Sequence, residues 1–241
     1  MSSTIIILGT VLVVLIVYML FQSYFDGEQK LLSQAFLKDA GEPTNVSSPN
    51  ASNFSYAIWI FVSKWDNPGS TEPESRIFAR DDEIGLYLKA DAELTVRFAD
   101  RGGKKVSTDT TSDFSSITLT KNFPIQKWVH VGLVVDGTKF DGYIDGKMVK
   151  SIELNGDTGI TPSHEPNGKG AKLEFGKGNT MSDTLMIAEH KRRTYAMDPK
   201  AMWDLYMKGN GSNGLTKVAG NMNVNLSIMK DGVESSKFSL L

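Results

Sequence analysis

Few residues of this chain combine a reactive side chain with a spacing that could support chemistry. The chain contains no cysteine, which excludes a thiolate nucleophile, a disulfide and a Cys-ligated metal site. Its three histidines, His130, His164 and His190, lie in unrelated segments and do not have metal-binding spacing. His130 lies inside an apolar run, so we interpret it as a histidine of the core or of a sheet edge.

Glycoside hydrolysis needs two carboxylates about 5 to 9.5 Å apart around the bond that is cleaved. The nearest pattern is Asp81-Asp82-Glu83, in which alternation along an extended chain places Asp81 and Glu83 on one face. A charged cluster directly before an apolar strand is typical of a solvated turn, and we interpret this cluster as one. We therefore expect no catalytic residue and a protein that is not an enzyme.

Sugar binding would need exposed aromatic rings beside polar groups in a shallow concavity. Trp65, Tyr87 and Trp203 are the weak candidates for such a ligand site, although packing is the commoner role for such residues. A second surface hypothesis concerns Lys191-Arg192-Arg193, a short basic run that could meet anionic lipid headgroups or an acidic partner. For this run we favour the simpler interpretation, a solvated strand end.

The composition of the chain is that of a globular protein rather than a disordered one. Of its 241 residues, 40% are hydrophobic and 22% are charged, and the length suits one sandwich domain with an appendage. Its 26 Lys and Arg nearly balance its 28 Asp and Glu, which leaves a net charge of -2. The bulk charge therefore predicts no binding to nucleic acid.

The first 25 residues have the composition of a membrane anchor. Of these 25 residues, 18 are apolar, and none is charged before Asp26. A helix over 1–25 would cross a hydrocarbon core of about 30 Å at about 1.5 Å per residue. A cleaved signal peptide is disfavoured, because the N-terminus has no basic residue and the apolar run is too long. The residues predicted to lie in lipid are Ile5, Ile6, Ile7, Leu8, Val11, Leu12, Val13, Val14, Leu15, Ile16, Val17, Leu20 and Phe21.

The flanking charges predict the orientation of this single-pass anchor. Lys30 and Lys38 follow it and no basic residue precedes it, which by the positive-inside tendency leaves the large domain on the cytosolic side. The lack of cysteine agrees with a reducing compartment. If the domain faced a secretory lumen instead, five Asn-x-Ser sequons would be open to glycosylation. They lie at Asn45, Asn50, Asn53, Asn210 and Asn225.

The segment after the anchor predicts a short helix outside the bilayer. Over 26–42, apolar residues recur at helical spacing at Leu31, Leu32, Ala35 and Phe36. This spacing predicts a juxtamembrane amphipathic helix, whose apolar stripe would need a partner.

The remaining chain, 43–241, has the pattern of one β domain. In its clearest segment, Trp128 to Ile152, the pairs Asp136-Gly137 and Asp145-Gly146 separate three alternating runs. Asp-Gly accommodates the positive φ of tight hairpin turns, so this segment predicts a three-stranded antiparallel meander. Further strands are predicted over 54–62, 76–79, 84–88, 94–98, 116–120, 172–175, 184–190 and 223–229.

One helix is predicted within the β domain, over 199–208. Asp198 suits its N-cap, Pro199 its first position and Gly209 the left-handed residue that ends it. About ten strands and one short helix predict an all-β fold, a two-sheet antiparallel sandwich. The helical stripe that should pack on a sheet edge is Met202, Leu205 and Tyr206.

Several short motifs follow one another in a fixed order along the domain. Phe54-Ser-Tyr-Ala-Ile-Trp59 opens the series, and Lys127-Trp-Val-His-Val131 and Gly142-Tyr-Ile-Asp-Gly146 follow it. Leu173-Glu-Phe-Gly176 and then the segment from Asp198 to Tyr206 complete it. Together these motifs resemble the concanavalin A-like lectin/glucanase superfamily, in its laminin-G-like branch.

This resemblance implies a jelly-roll sandwich whose last strand, around 223–229, returns to pair with the first part of the domain. The glucanase branch carries Glu-x-Asp-x-Glu on one strand, a pattern that this chain lacks. Many relatives hold calcium in loops, and Asp66-Asn67 or Asp81-Asp82 could do so here. Neither pair has the alternation of a dedicated calcium loop, so we expect no cofactor, with calcium as the alternative.

An apolar N-terminal span joined to such a domain is similar, in architecture alone, to membrane-associated structural proteins of large icosahedral DNA viruses. The sequence therefore predicts a non-enzymatic, membrane-anchored structural or adaptor protein. Its most concrete form is a minor capsid protein of the virion that links an internal membrane to a protein shell. Its partners would be the lipid bilayer and capsid or other lattice proteins. The alternative is a membrane-tethered lectin that binds glycans.

Overall fold

The structure is a computed structural model of the chain. It describes residues 9–18, 27–65, 74–80, 83–89, 91–98, 116–154, 172–176, 181, 183–211, 224–230 and 233–240. Residues 9–18 form helix α1, and a short 3-10 helix spans Leu37–Asp39. The other elements are β1 (Glu28–Phe36), β2 (Asn53–Val62), β3 (Glu74–Arg80), β4 (Ile84–Lys89), β5 (Leu94–Phe98), β6 (Ser116–Thr120), β7 (Trp128–Asp136), β8 (Lys139–Ile144), β9 (Lys147–Glu153), β10 (Leu173–Phe175), β11 (Leu185–Arg193), α2 (Pro199–Lys208), β12 (Val224–Lys230) and β13 (Val233–Leu240).

Two antiparallel sheets form the body of the protein. The larger has the strand order β1-β11-β2-β7-β8-β9, and the smaller has the order β10-β3-β4-β5-β6. The predicted all-β, two-sheet antiparallel sandwich with one short helix is therefore confirmed. The meander is also confirmed as β7, β8 and β9, and positive φ angles of 49° at Asp145 and 74° at Gly146 form its second turn.

The main core lies between the two sheets, because alternate residues of each strand point inward. In β2, Tyr56, Ile58 and Ile60 belong to this core, whereas Ala57 belongs to a second cluster on the outer face. Burying an isoleucine side chain such as that of Ile58 or Ile60 stabilises the fold by about 1.5 to 3 kcal/mol. The alternation in β2 therefore gives the larger sheet two apolar faces.

Helix α2 covers part of that outer face. The carboxylate of Asp198 accepts a hydrogen bond from the backbone N–H of Ala201 at 2.7 Å, which confirms the predicted N-cap. Met202 and Leu205 pack with residues of β2, β7 and β8. The predicted packing on a sheet edge is therefore correct only in part, since α2 lies close to the edge strand β9 but Met202 and Leu205 pack on the face. A Cβ at Gly132 would overlap the sulfur of Met202, so this glycine leaves the space that α2 occupies.

The juxtamembrane helix predicted over 26–42 is wrong for most of that range. Glu28–Phe36 forms β1, an edge strand that pairs antiparallel with β11. Leu31 and Leu32 pack against the main core from this strand. Pairing and burial on a neighbouring strand override helical spacing, because propensity and local pattern are weak compared with tertiary contacts. The sandwich therefore begins before residue 43.

The predicted pairing of the last strand is also wrong. Among the described strands, β12 pairs with β13 in a separate two-stranded sheet. The place beside β11, at the edge of the larger sheet, belongs to β1. The edge strand beside β11 in the larger sheet therefore comes from the N-terminal part of the domain, before β2.

Most of the anchor predicted over 1–25 lies outside the described residues. The described part of it is 9–18, which forms α1. None of the described helices has the length and apolar composition needed to cross a bilayer. The side chains at 11–18 are exposed by 48% or more on every side of α1.

Candidate functional site

A buried ionic network lies between the two sheets, and Glu83 is its acidic member. Its side chain is 3% exposed, and its Oε1 lies 3.1 Å from Nη1 of Arg80 and 3.5 Å from Nη2 of Arg192. Its Oε2 accepts a hydrogen bond from the hydroxyl of Tyr56 at 2.9 Å. The solvated turn predicted for Glu83 is therefore wrong, while Asp81 and Asp82 lie outside the described residues.

Arg192 enters the same network from β11. It is fully buried and donates to the carbonyl oxygen of Ser47 at 2.5 Å and to the hydroxyl of Tyr56 at 3.1 Å. Arg193, which is 7% exposed, donates to the carboxylate of Glu28 on β1. The solvated strand end predicted for this run is therefore wrong. The residues that pair with Arg192 and Arg193 come from distant segments of the chain. The basic run alone could therefore not show that these two charges are neutralised.

The electrostatics of the network follow from its burial. Burial raises the pKa of Glu83 above its ordinary value, although Arg80 and Arg192 oppose the rise. Burial also raises the pKa of Tyr56 well above its ordinary value, and the nearby carboxylate of Glu83 adds to the rise. Because these groups have almost no access to solvent, the network can fasten β2, β3 and β11 together but cannot contact a ligand from solution.

The two described histidines lie on opposite faces of the larger sheet. His190 lies in the main core, 4.6 Å from the ring of Phe78, and burial lowers its pKa to about 3. His130 lies on the outer face, 5.2 Å from the ring of Trp59, and burial lowers its pKa to about 4. His130 is 1% exposed, in agreement with its interpretation as a core histidine. His164 lies outside the described residues.

Metal binding has no candidate in the part of the chain that the structure describes. No three His, Asp or Glu side chains come together there in a group that could hold an ion. Both predicted calcium pairs, Asp66-Asn67 and Asp81-Asp82, lie outside the described ranges.

The three aromatic residues predicted from sequence lie in different surroundings. Trp65 is half-buried and packs against the main core. Tyr87 is 4% exposed, and the guanidinium of Arg97 lies 4.3 Å from its ring centroid. Trp203 is 40% exposed on α2. Of the three, Trp203 therefore presents the largest free ring surface.

Trp203 belongs to a cluster that we call the aromatic site, made of Trp203, Tyr206, Lys127 and Asp145. The rings of Trp203 and Tyr206 are 5.3 Å apart, and Tyr206 stacks on Trp59 of the sheet at 5.7 Å. These contacts hold Tyr206 between the sheet and Trp203. One side of the Trp203 ring therefore packs on Tyr206, which in turn stacks on Trp59 of the sheet.

The polar half of the aromatic site comes from the turn between β8 and β9. Lys127 Nζ lies 2.9 Å from Oδ2 of Asp145, and the carboxylate raises the pKa of Lys127. The other oxygen of Asp145 accepts a hydrogen bond from the backbone N–H of His130 at 3.0 Å. A Cβ at Gly146 would lie 2.8 Å from the ring of Trp203, so α2 rests directly on this turn. An exposed indole thus lies close to a charged donor and a charged acceptor.

A second exposed feature, which we call the apolar row, crosses four strands of the larger sheet on its outer face. Phe36 pairs with Met186, Met186 with Phe61, and Phe61 with Trp128. Phe36 is 41% exposed and the other three are half-buried. Neither the apolar row nor the Lys127–Asp145 pair was predicted. Trp128, Lys127 and Asp145 were all within recognised motifs, but only the strand register brings the members of each group together.

A laminin-G profile of the concanavalin A-like lectin/glucanases superfamily matches residues 39–183, which is more than half of the chain. The chain therefore belongs to this superfamily, as its motifs indicated. No curated protein sequence matches it at a significant level.

Solved structures with the same fold include the binding domain of Paraclostridial Mosquitocidal Protein 1. That domain is 17% identical with a TM-score of 0.54, and the match covers 75% of this chain and 45% of that one. Another is the botulinum neurotoxin serotype D ligand binding domain in complex with N-acetylneuraminic acid. It is 15% identical with a TM-score of 0.50, and the match covers 68% of this chain and 39% of that one. The matches span less than half of either structure, and identities this low show the fold alone.

Proposed function

We propose that this chain is a non-enzymatic glycan-binding module that its N-terminal apolar segment holds at a membrane. The observation that carries this proposal is Trp203, exposed by 40% beside the Lys127–Asp145 ion pair on a lectin-like sandwich. The sequence alone placed a structural role first. The family match and the exposed ring favour the alternative.

The chemistry of the aromatic site suits a sugar. One face of a sugar ring carries C–H groups that pack on an indole, and its edge carries hydroxyls that need donors and acceptors. Trp203 offers the first surface, whereas Lys127 and Asp145 offer the second. Among the neighbours by fold, the serotype D ligand binding domain was solved with a sugar acid, N-acetylneuraminic acid.

A glycan array probed with the full-length chain in detergent tests this proposal. We expect a defined set of sugars to bind, and Trp203→Ala to weaken that binding by at least about tenfold, as for a central aromatic anchor. Met207→Ala is the matched control, because Met207 is 63% exposed on the same helix but takes no part in the aromatic site. Equal binding by both variants, or no sugar bound by the native chain, would contradict the proposal.

The absence of catalysis remains part of the proposal. Its support is that Glu83, the acidic residue closest to a catalytic pattern in the sequence, is buried and paired with two arginines. We expect no release of reducing sugar from β-glucans. Release that disappeared in Glu83→Gln would overturn this part.

A second candidate function is an adaptor that docks on a protein lattice, most concretely a minor capsid protein beneath a viral shell. The observation that favours it is the apolar row, since half-exposed aromatic and Met side chains are enriched in protein interfaces. Co-purification with shell proteins in fixed stoichiometry, lost in Phe36→Glu, would support it. Retained sugar binding in that variant would show that the two surfaces are separate.

The orientation of the anchor separates the two candidates. A lectin would face the lumen or the exterior, where the sequons are glycosylated, whereas the adaptor would face the cytosol, as predicted from Lys30 and Lys38. Those lysines pair with Glu189 and Asp183 within the folded sandwich. A glycosidase-sensitive shift of the native protein on a gel would favour the lectin, and its absence would favour the adaptor.

A further inference from the structure

Asp145 is the fixed half of the polar pair in the aromatic site. Its backbone has a φ of +49°, and its backbone N–H donates to the carbonyl oxygen of His130 at 2.8 Å. Its Oδ1 accepts the backbone N–H of His130 at 3.0 Å, so the side chain is tied to β7 as well. Only 21% of this side chain is exposed. The carboxylate is therefore held in place by the fold and not by the ion pair alone.

Lys127 is the exposed half of the same pair. Its side chain is 61% exposed, and its Nζ lies 2.9 Å from Oδ2 of Asp145. An ammonium group has three N–H donors, and this contact uses one of them. The other donors can turn to a ligand beside Trp203, but the positive charge of Lys127 is already neutralised by the carboxylate next to it.

The lysines of α2 do not change this balance. Lys200 and Asp204 pair with each other at 2.6 Å, so the charge of Lys200 is compensated. Lys208 lies five residues after Trp203, about 140° around the helix from it. Lys208 therefore belongs to another side of α2 than the exposed indole.

The lysines of β9 belong to the other face of the larger sheet. In the strand register Lys147 pairs with Ile144, and Lys150 pairs with Gly142. Ile144 packs against the main core, and a Cβ at Gly142 would overlap Leu119 of that core. Because cross-strand partners share a face of the sheet, both lysines lie on the face opposite to α2. The polar half of the aromatic site thus has a donor and an acceptor but no free positive charge.

We propose that the aromatic site takes a neutral sugar and rejects an acidic one, and that Asp145 determines this preference. This inference rests on the proposed function. A neutral sugar finds a donor in Lys127 and an acceptor in Asp145 without disturbing the pair. A carboxylate or sulfate group on the ligand would compete with Asp145 for Lys127. It would also place two anions side by side, and like charges repel strongly over a few ångströms.

An array of matched sugar pairs tests this preference. Glucose, galactose and mannose are each printed beside the hexuronic acid that differs from it only in a carboxylate at C6. The full-length chain is applied in detergent. We expect the native chain to bind the neutral member of a pair at least about fivefold more tightly than the acidic member, because the acidic member adds a charge close to Asp145.

Asp145→Asn should remove the preference. Asparagine also tolerates a positive φ, and its amide oxygen can still accept the N–H of His130, so the turn is kept. Lys127 then carries an uncompensated charge, and the acidic member of a bound pair should gain at least about fivefold relative to the neutral member. Asp204→Asn is the matched control, because it frees Lys200 in the same way but outside the aromatic site. It should leave the preference unchanged.

Equal or tighter binding of the acidic member by the native chain would overturn the inference, as would an unchanged preference in Asp145→Asn. Lys127→Gln leaves the carboxylate in place, so it should reject acidic sugars at least as strongly as the native chain does. A gain of acidic binding in that variant would also overturn the inference. If the native chain binds neutral sugars through Trp203 but fails these tests, the proposed function stands. If it binds no sugar of either kind, both are overturned.

Discussion

The buried ionic network and the aromatic site contain similar residue types but differ in their access to solvent. The network joins Glu83, Arg80 and Arg192 between the sheets, where each side chain is 3% exposed or less. The aromatic site also places a carboxylate beside a cation, but Lys127 is 61% exposed and Trp203 is 40% exposed. The same charges therefore stabilise the fold in one place and can contact a ligand in the other.

This difference teaches that reactive residue types indicate a functional site only when their surroundings are known. A buried charge that loses its partner keeps its desolvation cost, so its removal acts on stability. An exposed ion pair is largely screened by water, so its removal acts mainly on binding. Substitutions in the network, at His190 in the core beside it and in the aromatic site separate buried from exposed surroundings, and their expected effects on stability decrease in turn.

Replacing Arg192 should have the largest effect. Arg192→Met leaves the buried Glu83 with Arg80 and the hydroxyl of Tyr56 but removes one of its two described cationic partners, and we expect a loss of about 3 to 5 kcal/mol in the free energy of unfolding. Urea denaturation followed by circular dichroism measures it. Lys200→Ala, which breaks the exposed Lys200–Asp204 pair, is the control and should leave the unfolding midpoint unchanged. A similar small change in both variants would show that the network does not hold the sheets together.

The second effect is a pH dependence from His190, whose pKa burial lowers to about 3. The unfolded chain takes up a proton below about pH 6.5, while the folded chain keeps His190 neutral, so stability falls as pH decreases. Between pH 7 and pH 5 we expect this residue to remove about 2 kcal/mol of stability.

Denaturation of the native chain and of His190→Phe at several pH values isolates this contribution. The variant should show a smaller loss between pH 7 and pH 5, while other groups contribute equally to both proteins. Identical pH profiles would contradict the burial of a neutral His190.

The smallest effect on stability should come from the aromatic site. Trp203→Ala removes a ring that is 40% exposed and packs on Tyr206, so the free energy of unfolding should fall by only about 1 kcal/mol. Sugar binding should be lost in the same protein. A large loss of stability would instead identify Trp203 as a packing residue and would blur the contrast with Arg192.

Much of the fold could be predicted from short segments. The turn at Asp145-Gly146 and the helix from Pro199 to Lys208 were correct, because tight turns and helix caps are decided by a few adjacent residues. The family motifs were correct for a similar reason, since each lies within one strand or hairpin. The packing stripe of α2 was predicted as Met202, Leu205 and Tyr206, but whether Trp203 beside it is exposed remained open, because that depends on what covers the rest of the helix.

The failures share another cause. Leu31 and Leu32 have helical spacing, but β11 offered an edge on which the segment pairs as a strand. Glu83 looked like part of a solvated turn, and Arg192 like part of a solvated strand end. These two side chains pair with each other, although Glu83 and Arg192 are more than a hundred residues apart in the sequence. Contacts over such separations leave no local pattern.

The amino-acid sequence by itself determined the period of the strands, the turns and caps between them and the apolar character of the first 25 residues, because these depend on neighbours along the chain. The tertiary structure alone decided that β1 completes the larger sheet, that Glu83 and Arg192 meet between the two sheets, and that Trp203 stands beside Lys127 and Asp145. Strand pairing and burial bring together residues that are distant in the sequence. Whether a given side chain stabilises the core or contacts solvent depends on which face of the sheet it occupies.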